Sequence, residues 1–381
     1  MKELLAQPPQ TAGAHHHAKD AESALCPPHI VAVTTAFPPH QYPQHDIMAT
    51  LARDTLMNST TGTLMLRKIE ANAGVTTRHL ALPLDQLVAL ADHDDFTQTN
   101  EVWLRTALDL GERALTAALN ASGLQPRDVD AVISTTVTGL AVPSLEARLA
   151  QRMGMRQDVK RIPLFGHGCA GGAAGLARLH DYLCAHPDQT AVLLAVELCS
   201  LAYQQKDASM ANIVASSLFG DGAAAVVAGG GRRAKGHQGP ELLGSYSWLL
   251  PDSEDALGWE IGSHGFRIRL APEVPELAEK HLPEAVHAFL AQNALTTDRI
   301  GRWIVHGGGP KVLAAVERGL GLSPDATALT RCSLADRGNL SSVSVLDVLK
   351  AATDTAPAPG TLGLIAAMGP GFAVELVLVR W

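Results

Sequence analysis

Two rhythms of apolar residues run along the chain. The first is the short continuous run, seen in HIVAVTTAFPP, VDAVISTTVTG, VKRIPLF, TAVLLAVELC and GDGAAAVVAGG, and later in RWIVHGGGP, TLGLIAAM and AVELVLVRW. Runs of this length, rich in β-branched residues, predict strands, and the unbroken ones predict strands covered on both faces. The second rhythm has helical spacing. It predicts helices in VWLRTALDLGERALTAALNASGL, ending at Gly123, in SLEARLAQRMGM, from Cys169 to about His186, in KVLAAVERGL and in SSVSVLDVLKAA. Residues 44–72 also read as mostly helical, with a break near NSTTG. The order of elements repeats after the polar, glycine-rich segment Gly229–Gly239, where a long helix again leads to a strand, a histidine and glycines. Mixed elements in two similar halves predict a layered α/β fold. The predicted division is an extension over residues 1–28, one half over 29–238 and a second half over 239–381.

Composition narrows the field of functions. The chain has 381 residues, 46% of them hydrophobic, which is ample for a large core. Its formal charge of −8 implies no general attraction to nucleic acid or to an anionic membrane surface. No apolar run reaches the ~18 residues that a bilayer demands, so stable membrane insertion is not expected. The first residues, MKELLAQPPQTAGAHHHAKD, lack a signal-peptide layout and read as a solvated tail, histidines included. The five cysteines, Cys26, Cys169, Cys184, Cys199 and Cys332, show no CxxC spacing. Neither a disulfide framework nor a zinc site is expected, and a reducing cytoplasm fits.

One strand-to-helix junction carries chemistry. In FGHGCAGGAAG, Phe165 to Gly175, the predicted strand turns into the predicted helix at Cys169 among glycines. Small residues there let a helix pack close to a sheet, and a free cysteine often serves as a small buried hydrophobe. The same pattern suits a nucleophile. Glycines allow a tight turn and close approach of a substrate, and the first N–H groups of a helix favour a thiolate. On that reading the thiol ionises below the ~8.5 of a free cysteine.

Two further element ends match it. His306 closes a strand in VHGGGP, and Asn339 stands in RGNLSSVS before a helix. A histidine can pair with the thiolate and carry protons, and an asparagine amide can donate to an oxyanion. Singly, His306 also reads as a core histidine and Asn339 as a helix cap. Together, each beside glycines at an element end, they read as a site. Papain-like proteases share the order Cys, His, Asn, but here the cysteine lies mid-chain and the local signature of those proteases is missing.

Further stretches point the same way: GCAGG at Cys169, LFGDGAAAVV from Leu218 to Val227, PDSEDALGW at Pro251 and GFRIRL at Gly265. So do HGGGP at His306, GNLSS at Gly338 and MGPGF at Met368. Together these motifs resemble those of the type III polyketide synthases, the chalcone-synthase-like branch of the thiolase superfamily, across the chain after about residue 28. The resemblance implies a thiolase-like fold of two similar halves, layered α-β-α-β-α, in a homodimer. It implies no metal and no cofactor, with coenzyme A thioesters as substrates. Cys169 would be acylated by a starter acyl-CoA, while His306 and Asn339 would bind malonyl-CoA, promote its decarboxylation and stabilise the enolate. Phe219 and Phe266 match the family's two gatekeeper phenylalanines, and as residues alone they also read as core aromatics. Gly308 falls in the HGGGP loop at the substrate. Arg67 and Lys68 fall in the family's basic coenzyme A segment, where Met65 and Asn72 replace two usual cations, and Lys311 is a substitute. Solvated surface charge is the other reading of all three.

The segments TTVTGLAVPS and VELCSLAY resemble the bacterial branch that accepts fatty acyl-CoA starters and makes alkylpyrones or alkylresorcinols. In that branch Thr138 and Cys199 match small positions that open an acyl tunnel, and a long alkyl chain does need a narrow apolar channel. Cys199 also reads as core packing at a strand end. Glu197 and Ser341 match positions near the region of cyclisation, and Val142, before Pro143, matches the position that reaches into the partner subunit's cavity. A short or aromatic starter, and a ketosynthase making a single condensation, are the alternatives.

Overall fold

The computed structural model describes residues 26–54, 60–93, 95–237 and 239–381. Most of the expected N-terminal extension and the break near NSTTG therefore lie outside the described residues. Nine strands form one mixed sheet: β1 (His29–Ala36), β4 (Ala131–Thr135), β5 (Lys160–Leu164), β6 (Thr190–Leu198), β7 (Asp221–Gly229), β8 (Glu241–Leu249), β11 (Arg302–Val305), β12 (Leu362–Gly369) and β13 (Ala373–Arg380). Two short pairs lie apart, β2 (His40–Pro43) with β3 (Thr77–Leu80), and β9 (Leu257–Gly262) with β10 (Gly265–Leu270). The helices are α1 (Gln44–Asp54), α2 (Thr60–Asn72), α3 (Leu84–Asp92), α4 (Phe96–Ser122), α5 (Leu145–Arg152), α6 (Gly171–Ala185), α7 (Met210–Leu218), α8 (Val274–Gln292), α9 (Pro310–Leu320), α10 (Ala328–Arg337) and α11 (Ser344–Asp354).

Strand order in the large sheet is β11-β12-β13-β8-β1-β7-β6-β4-β5. The joint between β8 and β1 pairs only His29 with Glu241, so the sheet is two half-sheets hinged at that point. Each half has parallel members, β4 beside β5 and β6 in one and β11 beside β12 in the other. Every residue of β6 and β7 is buried, as their unbroken apolar sequences require.

Three apolar clusters define the layers. α4 covers the outer face of the first half-sheet through Trp103, Ala107, Leu110, Ala114 and Leu115. α8 and α9 cover the outer face of the second through Leu282, Val286, Phe289, Leu313 and Val316. Between the half-sheets lie α6 and α11, whose Leu176, Leu179, Val345 and Leu349 share one cluster with strand residues of both halves. This is the expected α-β-α-β-α layering of two similar halves.

The glycines after Cys169 make the central layer thin. A Cβ on Gly172 would stand 2.2 Å from the carbonyl oxygen of Ser342, and one on Gly175 would stand 2.4 Å from Leu193 Cδ1. Two glycines of Gly229–Gly239 are closely packed as well: a Cβ on Gly231 would meet the Cys26 carbonyl at 1.9 Å and one on Gly239 the Ile30 carbonyl at 1.8 Å. β8, the β9–β10 pair and α3 were not among the elements legible from periodicity. β8, ELLGSYSWL, interleaves Gly and Ser with its apolar residues, and only its pairing with β13 makes it a strand.

Gly172→Ala is expected to destabilise the protein by about 1–3 kcal/mol, because a rigid backbone carbonyl must move to admit one methyl group. A urea titration checks this, and an unchanged midpoint would show that the two halves are less tightly joined here than the distances imply.

Candidate active site

The cysteine turn is shaped from both sides. β5 ends at Leu164, and the chain passes through Gly168–Ala170, a single 3₁₀ turn, into α6. Gly168 has φ +50°, and a Cβ there would meet Pro370 Cδ at 2.5 Å, so the MGPGF loop lies directly on the turn. His306 follows β11, and its N–H continues the parallel pairing to the Ala366 carbonyl at 2.9 Å. Asn339 is tied to the segment after α7: its N–H donates to Leu218 O at 2.7 Å, and its carbonyl accepts from Gly220 N–H at 2.9 Å. Its side-chain Oδ1 accepts the Ser341 N–H at 2.8 Å, and Nδ2 donates to Gly308 O at 3.2 Å. Ser341 holds φ +53°, a left-handed conformation that a serine adopts only under tertiary constraint.

These elements bring Cys169, His306 and Asn339 to one cavity, with Gly308 and Phe219 also in its wall. The rest of the lining is apolar, including Leu257, Ile268, Val274 and Met368. Such a dry wall governs the charges. Burial holds the His306 imidazole down to about 4, and its Nδ1 has no hydrogen-bond partner among the described residues. Burial pushes the Cys169 thiol up to about 12; the Ser341 and Asn339 side chains act against this and the Glu197 charge adds to it. Burial therefore works against the depressed thiol expected from the helix N-terminus and favours the neutral form of both groups.

Glu197 is the nearest unused acid. Burial lifts its carboxyl to about 7 despite donors from Ser342 Oγ at 2.5 Å, Val137 N–H at 3.1 Å and Thr138 Oγ1 at 3.0 Å. Thr138 also accepts from Leu198 N–H at 3.0 Å and from Trp103 Nε1 at 3.3 Å, so its hydroxyl is fully engaged. The Ser342 bond crosses from one half of the fold to the other.

Cys199 is buried and lines a second, inner cavity, which shares Ala215, Phe219 and Ile268 with the first. Phe266 lines neither. It stands inside a row of rings, 6.1 Å from Trp259 and 5.6 Å from Phe96, and Trp259 stands 6.2 Å from Phe219. The register of β9 on β10 sets Ile268 opposite Trp259 and Phe266 opposite Ile261, nearer the hairpin turn. Ile268 lines both cavities with Phe219, while Phe266 lines a third with Thr138 and Phe96. Trp259 and Ile268 lie inside the PDSEDALGW and GFRIRL motifs, but only the hairpin register singles them out. Arg67, Lys68 and Lys311 are exposed and make no ion pair among the described residues. A Cβ on Gly74 would meet Pro310 Cγ at 2.9 Å, so the chain after α2 abuts the start of α9. Val142 lies outside this chain's own cavity and is 96% exposed. Among the described residues no cluster of three or more His, Cys, Asp or Glu forms a metal site, and no helix is long and apolar enough to cross a membrane.

The charge pattern has a measurable consequence. Alkylation of Cys169 by iodoacetamide should still be accelerating above the ~8.5 of a free thiol. Glu197→Gln removes a negative neighbour, so it should move that profile toward lower pH. A profile that levels off near neutrality in the unmodified protein would contradict the resting thiol.

Comparison with known proteins agrees with this architecture. The family profiles of chalcone and stilbene synthases match in both parts, the N-terminal domain over residues 15–232 and the C-terminal domain over residues 241–381. A 1,3,6,8-tetrahydroxynaphthalene synthase of Streptomyces peucetius subsp. caesius is 51% identical over 375 residues, 98% of this chain and 97% of that protein. A phloroglucinol synthase of Pseudomonas fluorescens is 31% identical over 362 residues, 94% of this chain and 99% of that protein. The crystal structure of 1,3,6,8-tetrahydroxynaphthalene synthase from Streptomyces coelicolor A3(2), a bacterial type III polyketide synthase, superposes with a TM-score of 0.86 at 31% identity, covering 93% of this chain and 99% of that one. With its thiolase-like layers, its motif set and these relatives, the chain belongs to the chalcone and stilbene synthase family and is a type III polyketide synthase.

Proposed function

We propose that this synthase builds a polyketide from malonyl-CoA on Cys169, and that the chain is folded into a fused-ring aromatic. The observation that carries the chemistry is the convergence of Cys169, His306 and Asn339 on one apolar cavity. In the resting pair the imidazole is free to accept a proton. Cys169 Sγ attacks the starter thioester, His306 takes the thiol proton, and the coenzyme A thiolate leaves with that proton. Malonyl-CoA then enters, and loss of CO₂ leaves an enolate whose oxygen receives hydrogen bonds from His306 and from Asn339 Nδ2. The enolate carbon attacks the acyl carbonyl, and the Cys169 sulfur departs. The chain, longer by two carbons, is now on coenzyme A and returns to Cys169 for the next round. An enolate in a dry site draws far more from fixed donors than it would in water.

The choice of starter is a finer matter. Tetrahydroxynaphthalene has ten ring carbons, the number left when five malonyl units each lose CO₂, and the 51% identical relative is named for making it. That supports a short starter derived from malonyl-CoA itself. Trp259 supports it too, because its ring fills space beside Phe219 in the inner cavity. The second reading is a fatty acyl-CoA starter leading to an alkylpyrone or alkylresorcinol. It is favoured by Cys199 standing in that cavity with Ile47, Leu51, Leu80 and Leu87. On either reading Arg67, Lys68 and Lys311 receive the coenzyme A phosphates, Glu197 and Ser341 act near cyclisation, and Val142 enters the cavity of a second copy in a homodimer.

Mass spectrometry of products from malonyl-CoA alone and from a series of acyl-CoA starters tests these readings. An aromatic pentaketide from malonyl-CoA alone is the expected result. Preference for fatty starters would favour the second reading, and a lone β-ketoacyl product would reject iterative condensation. Cys169→Ala should abolish product and acyl attachment, while Asn339→Ala should lose malonyl decarboxylation and retain some acylation of Cys169. Trp259→Ala should widen the inner cavity and admit bulkier starters, and an unchanged starter range would remove Trp259 from the specificity argument.

A further inference from the structure

The C-terminal end of α7 is capped in an unusual way. A helix leaves its last carbonyls without partners inside the helix, and at a surface water takes them. Here Ser216, Ser217, Leu218 and Phe219 all have protein donors. Arg78 Nη1 donates to Ser216 O at 2.8 Å and to Phe219 O at 2.7 Å. Gln44 Nε2 donates to Ser217 O at 2.8 Å, and Gln44 is itself oriented by Arg78 Nε on its Oε1 at 2.8 Å. The remaining carbonyl, Leu218 O, takes the backbone N–H of Asn339 at 2.7 Å. So one guanidinium holds three of these four carbonyls, directly or through Gln44, and the fourth holds Asn339.

Arg78 also touches that residue's turn from the other side. Gly338 has φ +74°, and a Cβ there would meet Arg78 Cδ at 3.0 Å and Cγ at 3.1 Å. The side chain is only 2% exposed. Burial lowers its basicity to about 10, so it keeps its charge at neutral pH, and that charge sits at the negative end of the α7 dipole. Asp221 is the neighbouring opposite charge, yet its oxygens are taken by Ser200 and by Ala81 N–H. Arg78 Nη2 has no partner among the described residues. A buried guanidinium is an expensive way to cap a helix if stability were its whole purpose. Its placement, between the gatekeeper Phe219 and the turn of Asn339, gives it a second use.

We propose that Arg78 is a positioning residue for condensation: by clamping the end of α7 it sets the Asn339 amide and the Phe219 ring relative to Cys169. The inference rests on the reading of Asn339 as the enolate's partner. Acylation of Cys169 does not need that amide, whereas malonyl decarboxylation does. A misplacement of about 1 Å is enough to lower a rate 100-fold.

Arg78→Met, Arg78→Lys, Gln44→Leu and Asn339→Ala are compared with the unmodified full-length enzyme. Acylation is followed by intact mass and decarboxylation by CO₂ release from malonyl-CoA, the latter normalised to the amount of acylatable Cys169. Arg78→Met should lose about 10- to 100-fold in decarboxylation per acylatable site, with a much smaller loss in acylation rate. Arg78→Lys should recover part of the loss, and Gln44→Leu should show a smaller loss in the same direction. A lowered melting temperature with unmodified decarboxylation per acylatable site would make Arg78 a stabilising residue only and overturn the proposal. Should Arg78→Met fail to fold, Gln44→Leu decides by the same criterion. Asn339→Ala is the separate control: if it decarboxylates at the unmodified rate, the reading of Asn339 fails, and that failure is distinct from one seen only in the Arg78 and Gln44 variants.

Discussion

The approach of a glycine to a backbone carbonyl underlies the rest of this structure. α6 carries Cys169 at its start and meets the turn at Ser342 with almost no gap, the position of a Gly172 Cβ being 2.2 Å from the Ser342 oxygen. Cys169 belongs to the first half of the chain, and Asn339 and His306 belong to the second. Only when the central helices touch backbone to side can residues of both halves line one small cavity. Any side chain at Gly172 would hold the halves apart. The bond from Ser342 Oγ to Glu197 fastens the same seam and leaves a buried carboxyl whose charge acts on Cys169.

Dryness is the second consequence of that packing. A cavity walled by Leu257, Ile268, Val274 and Met368 opposes charge on every group it encloses. Burial raises the thiol of Cys169 and lowers the imidazole of His306, which favours the neutral form of each. The charge of Arg78 lies in the wall of the adjoining cavity instead, where its N–H groups donate to the carbonyls of Ser216 and Phe219.

A row of rings runs from Phe219 through Trp259 to Phe266 and Phe96. The row borders the inner cavity in which Cys199 stands. Its members come from α4, from the segment after α7 and from the β9–β10 pair.

Much of this was legible in the chain itself. Unbroken apolar runs such as Thr190–Leu198 can only be strands buried on both faces, and helical spacing located α4, α6, α9 and α11, because these patterns are local. Cys169, His306 and Asn339 were legible for a related reason: each stands at an element end beside glycines. What remained hidden depends on contacts between distant segments. β8 is a strand because β13 pairs with it, and Ile268 stands opposite Trp259 because of one hairpin register. The burial opposing a charge on Cys169 was hidden too, because a helix N-terminus is a local feature, whereas desolvation is the sum of everything packed around the sulfur. The sequence by itself determined the elements and the chemical groups at their ends; the tertiary structure alone decided distance, register and burial, since those are properties of pairs of segments that the order of residues does not place side by side.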